Sequence, residues 1–368
     1  MRLAIIGSRG YPYVYSGYET LVSELAPRLV ERGHEVTVYC HRGLFPERPG
    51  VVNRVRLAYV PAIERKVLSQ FTHSFLATLH AAVKPYDVLL YVNAANGPFG
   101  AILRLMGRKT AINVDGLEWL RPKWRGLGAR YFRAAASLAT RWFDLVITDA
   151  DAMADVYRKE FGSESVTIAY GANLTHSTDP DRVRAFGVEP GEYYLVVGRL
   201  VPDNNAGLIV RGFERSKTRR RLVVVGDVPY RDSYAESVKA TSDPRILFPG
   251  YVRDQEALRE LYCNAYAYLH GHEFGGTNPA LLRALAGGCC VLALDTPFSR
   301  EVLAGDRYGL YFDKDAESVR RSIDAVDDDA ATVRLLQGRA RDRISEKYTW
   351  ERITDQYEVA LSQLAERP

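Results

Sequence analysis

Cysteine is scarce in this chain: Cys40, Cys263, Cys289 and Cys290 are the four, with no C-x-x-C spacing and apolar neighbours. That leaves no disulfide framework and no thiolate cluster, and it reads as reduced core thiols of a cytosolic protein. Long apolar runs are missing too. None approaches the roughly 18 residues that span a bilayer, and Met1 leads into a strand-like run, so no signal peptide is expected. His34, His41, His73, His80 and His176 are scattered without metal-ligand spacing, and no carboxylate cluster joins them, so no metal is expected. The glycines never fall as G-x-G-x-x-G and no G-K-[ST] occurs, which removes the dinucleotide fingerprint and the P-loop. What is present is 368 residues, 47% hydrophobic and 26% charged, enough for two globular domains of ordinary size.

The net charge of +4 conceals an imbalance. Residues 1–186 carry 24 Lys+Arg against 17 Asp+Glu, and the remainder carry 25 against 28. The excess concentrates in Arg104, Arg108 and Lys109, in Arg121, Lys123 and Arg125, and in Arg130, Arg133 and Arg141, interleaved with Trp119, Trp124, Tyr131, Phe132 and Trp142. Basic residues mixed with large aromatics fit an anionic lipid surface or an anionic acceptor, and, residue by residue, rather more the solvated face of an amphipathic helix. A pI near 8.7 falls short of a nucleic-acid footprint, so no nucleic-acid partner is expected.

Two glycine-rich junctions join strand-like runs to helix-like runs. The first is Gly7-Ser8-Arg9-Gly10-Tyr11-Pro12 after Leu3–Ile6, with Gly17-Tyr18-Glu19-Thr20 opening a helix that Gly33 closes before Glu35–Tyr39. The second follows Ala265–His270: Gly271-His272-Glu273-Phe274-Gly275-Gly276-Thr277-Asn278-Pro279, then an apolar helix. Each reads as a tight, capped turn or as a place where backbone N–H groups and a helix N-terminus meet a phosphate. Two such junctions half a chain apart favour two similar α/β domains.

Alternation continues between and beyond them. Strands are expected at 55–60, 88–92, 110–114 and 145–148, with helices near 67–83, 98–107, 127–142 and 151–160. A second series follows at 194–198, 222–225, 246–248, 265–269, 290–293 and 310–312. Alternation of this kind predicts parallel sheets covered by helices, with ligands at the carboxyl ends of the strands. Residues 173–190 are rich in turn formers and read as a linker, dividing a domain 1–172 from a domain 191–349, with a last helix over 350–368.

Polar groups recur at the expected strand ends. Asp115 and Glu118 follow 110–114, Arg199 follows 194–198, and Asn93 and Asn96 follow 88–92. A carboxylate, a phosphate-binding arginine and glycine-rich helix starts suit a transferase acting on a nucleoside diphosphate sugar. Asp115-Gly116 is also a plain turn, and Arg199 is also a plain surface ion-pair partner.

Taken together, Gly7–Pro12, Ser16–Thr20, Asn113–Trp119, Arg199–Pro202 and Gly275–Pro279 resemble the retaining family-4 glycosyltransferases, nearest the bacterial rhamnosyltransferase-type subgroup of surface polysaccharide assembly. The resemblance spans almost the whole chain. It implies an α/β GT-B architecture of two Rossmann-like domains with parallel sheets facing a central cleft, no metal or cofactor, and a last helix crossing back to the N-terminal domain. It implies retaining transfer of a sugar, rhamnose in that subgroup, from a nucleoside diphosphate donor to a glycan or lipid-linked hydroxyl, in the cytoplasm at the inner face of the membrane. A degenerate sugar-nucleotide-binding scaffold subunit and a GT-B sugar-nucleotide epimerase are the alternatives. Carried over residue by residue, Asp115, Glu118 and Arg199 are catalytic, and Gly17, Arg199, Asn204, His272, Gly275, Gly276, Thr277, Asn278 and Arg283 bind the donor. Asn204 stands where many members have lysine, and Arg283 where the family has a ribose-binding glutamate, which predicts acceptance of a thymidine diphosphate sugar.

Overall fold

The computed structural model describes residues 1–13, 16–63, 68–122, 124, 126–228 and 231–367; Lys123 and Arg125 of the basic stretch lie outside the described residues. The chain forms two units, one of residues 1–170 with 350–368 and one of residues 171–349.

The first unit is built on β1 (Arg2–Ile6), β2 (Glu35–His41), β3 (Val51–Val52), β4 (Val55–Val60), β5 (Val88–Val92), β6 (Thr110–Val114), β7 (Leu145–Thr148) and β8 (Val166–Thr167). Their order is β3-β4-β2-β1-β5-β6-β7-β8, parallel except for β3 against β4. β1, β5 and β6 are central and mostly apolar because helices cover both faces, with Thr110 and Asn113 as the polar residues of β6. The helices are α1 (Gly17–Glu31), α2 (Leu68–Ala82), α3 (Gly100–Leu105), α4 (Leu127–Trp142) and α5 (Asp151–Phe161). From β4 onward every connection leads the same way across the sheet, so right-handed crossovers put α2, α3 and α4 on one face and α1 on the other. The helix expected over 98–107 is shorter: residues 94–99, with Pro98, form a 3-10 turn before α3. The two-residue strands β3 and β8 carry too little periodicity to be read from sequence.

The second unit contains β9 (Tyr193–Val197), β10 (Arg221–Val225), β11 (Ile246–Gly250), β12 (Ala267–His270), β13 (Cys290–Leu294) and β14 (Leu310–Phe312), all parallel in the order β11-β10-β9-β12-β13-β14. Between and after them run α6 (Ala206–Glu214), α7 (Ser233–Lys239), α8 (Gln255–Cys263), α9 (Pro279–Gly287), α10 (Pro297–Val302), α11 (Ala316–Asp328) and α12 (Ala330–Lys347). Tyr194, Ile209, Phe213, Leu269, Leu292 and Val319 lie in its fully buried core.

Residues 173–190, read from sequence as a linker, lie within the second unit. The buried Glu260 of α8 accepts hydrogen bonds from Ser177 Oγ (2.5 Å), Thr178 N (2.9 Å) and Asp179 N (3.2 Å), and a 3-10 turn covers Pro180–Phe186. Turn-forming composition signals a break in regular structure, not freedom from packing. The last helix, α13 (Trp350–Glu366), belongs to the first unit. Arg32 at the end of α1 pairs with Asp355 at 2.6 Å and Glu358 at 2.7 Å. Tyr357 Oη accepts from Asn113 Nδ2 at 2.8 Å, beneath the carboxyl end of β6.

Candidate active site

Strand order reverses between β9 and β12 in the second sheet, the point where loops part to opposite faces and leave a crevice at the carboxyl ends. Arg199 follows β9 and Gly271-His272-Glu273 follows β12, so both junctions lie at this point. Their approach is close. Asn205, at φ +53°, donates from Nδ2 to Gly271 O at 2.9 Å, and a Cβ on Gly271 would meet Asn204 O at 2.5 Å. A glycine is therefore required there by packing alone. On the neighbouring strand, a Cβ on Gly226 (φ +125°) would come 2.0 Å from Gly198 O, so this glycine lets the ends of β9 and β10 close just before Arg199.

Asn204 links the two loops. Its Nδ2 donates to Arg199 O at 2.9 Å, and its Oδ1 faces His272 Nδ1 at 2.8 Å. The contact defines a tautomer, because an amide oxygen only accepts and the imidazole Nδ1 must then carry the proton. Glu273 continues the network: Lys314, past β14, reaches both its oxygens at 2.7 and 2.6 Å, and Asn205 Nδ2 lies 3.4 Å away. Glu273 and Lys314 have no sequence signal linking them, being 41 residues apart. His270 is buried and its pKa is pushed down to about 3 by that burial, so it is a neutral core residue.

The Arg199 side chain is half-buried, and among the described residues its guanidinium has no hydrogen bond or ion pair. Gly275, Gly276 and Thr277 are buried in the loop ahead of α9. Asn278 caps that helix, its Oδ1 accepting from Ala280 N at 2.9 Å. Arg283 goes elsewhere: it is exposed and its Nη1 approaches Gln255 Oε1 of α8 at 3.4 Å, with no bond to Arg199, Asn204 or His272. One helical turn separates it from the capped end, which turns it toward α8.

In the first unit Asp115 directly follows β6. Tyr170 Oη donates to its Oδ2 at 2.7 Å, and its own backbone N–H donates to Tyr18 Oη at 3.4 Å. Burial raises the Asp115 pKa, against the hydrogen bonds from Tyr18 and Tyr170 and the nearby charge of Arg121. Glu118 is engaged at both oxygens, by Arg121 Nε at 3.0 Å and Trp124 Nε1 at 2.8 Å. It holds the loop that carries Asp115. Gly17 starts α1 beside them: a Cβ there would lie 3.5 Å from both Asp115 Oδ2 and Tyr170 Oη, an ordinary contact. Gly17, Asp115 and Glu118, singled out from sequence, lie close together here, and Tyr18 and Tyr170, to which sequence reading gave no role, join them, since nothing in a tyrosine's neighbours tells which carboxylate it will meet. Among the described residues no group of three or more His, Cys, Asp or Glu is placed to hold a metal ion.

Residues 16–173 match the family model described as a glycosyl transferase 4-like domain, and residues 191–329 match glycosyl transferases group 1. A curated relative from Campylobacter jejuni, N-acetylgalactosamine-N,N'-diacetylbacillosaminyl-diphospho-undecaprenol 4-alpha-N-acetylgalactosaminyltransferase, is 28% identical over 130 residues, 34% of this chain. The match likewise spans only 34% of that relative's length. Among solved structures, sucrose-phosphate synthase from Thermosynechococcus elongatus superposes with a TM-score of 0.82 at 19% identity, covering 99% of this chain and 98% of that one. Anabaena HepE in complex with UDP and glucose gives 0.78 at 16% identity, covering 99% and 100%. At such identities these structures show a common fold. With a glycosyltransferase family match on each of two Rossmann-like, parallel-sheet units, the chain belongs to the GT-B glycosyltransferases.

Proposed function

We propose that this protein transfers a sugar from a nucleoside diphosphate donor to a hydroxyl of a glycan or lipid-linked acceptor, with retention at the anomeric carbon. The observation that carries the reading is the half-buried Arg199 guanidinium, which among the described residues has no protein counter-ion, at the switch point of the second sheet. As the bond from the anomeric carbon to the diphosphate breaks, negative charge grows on the leaving phosphate, and a planar guanidinium fork answers it with paired charge-assisted hydrogen bonds. The buried Gly275–Thr277 loop and the N-terminus of α9 add positive potential from the backbone. Asn204 and His272 hold the Arg199 loop against this one. A complex of HepE with UDP and glucose supports a nucleotide in a fold of this kind.

Asp115 orients the acceptor hydroxyl. In a front-face reaction the acceptor oxygen bonds to the anomeric carbon as the phosphate leaves, and the acceptor proton passes to the departing phosphate oxygen. No enzymic nucleophile is needed, and Arg199 supplies charge that a metal would otherwise supply. Rhamnose is the sugar to test first, with a lipid-linked acceptor at the inner face of the membrane. With arginine at position 283 in place of a ribose-binding glutamate, a thymidine diphosphate sugar is accepted at least as well as a uridine one.

The test is transfer from radiolabelled donors with calorimetry of uridine and thymidine diphosphates. Arg199→Ala is expected to lower turnover by roughly a hundredfold or more while the protein stays folded. Near-normal turnover would reject the assignment. Failure of the unmodified protein to bind any nucleotide would favour the scaffold alternative, and acceptor-independent conversion of the donor sugar would favour the epimerase.

A further inference from the structure

The charge of Asp115 reaches four phenols that come from four separate parts of the first unit. Tyr18 lies on α1, Tyr157 on α5, Tyr170 just past β8 and Tyr357 on α13. Tyr157, Tyr170 and Tyr357 are fully buried, whereas Asp115 and Tyr18 keep partial exposure. A buried position that needs only bulk is served by phenylalanine, because a phenol hydroxyl taken out of water costs free energy unless it is bonded. The Tyr170 hydroxyl makes its bond to Asp115, donating to Oδ2 at 2.7 Å, while Tyr357 Oη is taken up by Asn113.

That bond is short, as expected where a hydroxyl meets a carboxylate. Tyr18 braces the same residue from α1: its Oη accepts from the Asp115 backbone N–H at 3.4 Å, and its proton goes to the carboxylate. The charged neighbours are held as well. Glu118 and Arg121, on the loop that carries Asp115, pair with each other at 3.0 Å. Asp149, which follows β7, is buried within range of Tyr157, Tyr170 and Tyr357. A carboxylate tied through Oδ2 to a buried donor turns about its last torsion only by breaking that bond, so its plane is set before any substrate hydroxyl arrives.

We propose that Tyr170 is a positioning residue for the transfer reaction: its buried phenol fixes the Asp115 carboxylate that orients the acceptor hydroxyl, with Tyr18 as the second brace. The inference rests on the proposed role of Asp115 toward the acceptor. It has a consequence for protons. Burial raises the Asp115 pKa, and a hydrogen bond donated to the charged form opposes that rise. Without the Tyr170 hydroxyl the carboxyl keeps its proton to higher pH, and a protonated carboxyl is a poorer acceptor for the incoming hydroxyl.

Tyr170→Phe keeps the ring and its packing and tests the hydroxyl alone. Turnover at pH 7 should fall about tenfold, while the Kd for a nucleoside diphosphate stays within about twofold of the parent. The acid limb of the kcat profile should move up by roughly one pH unit, the size expected when one hydrogen bond to a charged group is lost. Carbon-13 NMR of aspartate-labelled protein, with the Asp115 resonance identified by its loss in Asp115→Asn, should show the same upward move independently of turnover. Tyr18→Phe should act in the same direction and less strongly, since its contact is longer. In the Asp115→Asn background Tyr170→Phe should change the residual transfer by less than about twofold, because the two residues act as one unit. An unshifted Asp115 resonance and acid limb, or a full tenfold loss in the Asp115→Asn background, would overturn the inference while leaving Asp115 in its role. Normal transfer by Asp115→Asn would overturn both. Failure of Tyr170→Phe to fold, followed by circular dichroism, would assign the hydroxyl to the fold instead and overturn the inference.

Discussion

Gly7 and Gly17 flank the same loop in the first unit, yet packing demands only one of them. A Cβ on Gly7, at φ +105°, would come 2.3 Å from Val92 O, so its glycine is explained by the closeness of β1 and β5. Gly17 has no such clash, and the protein itself would accept a methyl group there. Gly17→Ala should therefore leave stability within about 1 kcal/mol, since alanine is the better helix former. The same methyl projects beside Asp115, so turnover should fall tenfold or more. Unchanged kinetics would mean that no substrate group comes near this backbone. Asp115→Asn should keep the affinity for a nucleoside diphosphate while losing most transfer, because the proposed donor site belongs to the second unit. Parallel loss of both would move Asp115 to the donor or to the fold. Single residues of this kind were legible by position, at strand ends, but their partners were not: Tyr18, Tyr170 and Lys314 come from distant sequence.

Elements differ in how openly they announce themselves. The buried strands were readable as apolar runs bounded by turns, and α9 by its Asn-Pro start, because these are local signals. The segment 173–190 misled for the same reason: its composition reports turns, while its anchoring comes from Glu260 on α8. Burial pushes the Glu260 carboxyl up, but hydrogen bonds from Ser177, Thr178, Arg259 and Asp179 prevail and hold it at about 2. Glu260→Ala should cost the second unit about 3 kcal/mol, since charge-assisted bonds are lost and buried donors are left without an acceptor. Urea denaturation followed in the second unit checks this, and a cost below about 1 kcal/mol would show the segment to be held by other contacts. The helix α2 shows the opposite case, where periodicity found the helix but not which face is outside.

Across the whole chain the clearest collective property is sensitivity to mild acid. His41 and His73 stack at 3.8 Å between ring centroids, and both are buried. Burial lowers their pKa values to about 4 and about 3, and His270 in the second unit to about 3. Unfolded histidine titrates near ~6.5, so between that pH and about 4 the unfolded chain binds protons that the folded one refuses. Stability therefore falls as pH falls through this window, by up to roughly 1.4 kcal/mol per pH unit for each histidine. Two such groups lie in the first unit and one in the second, so denaturation at pH 7.5, 6.5 and 5.5 should show the first unit weakening more steeply. A first-unit midpoint independent of pH over that range would contradict the buried, neutral pair.

The sequence by itself determined two α/β units, the central strands, the glycine-rich junctions and the carboxylate and arginine at strand ends, because apolar periodicity, turn chemistry and helix starts act over a few residues. Tertiary structure alone decided what depends on residues far apart in the chain. It brought Asn204 to His272 and Glu273 to Lys314, set Tyr170 on Asp115, carried Arg283 toward Gln255, stacked His41 on His73 and turned the large side chains of α2 outward. Those choices follow from strand order and crossover handedness, which fix the neighbours of each loop and the face that each helix covers.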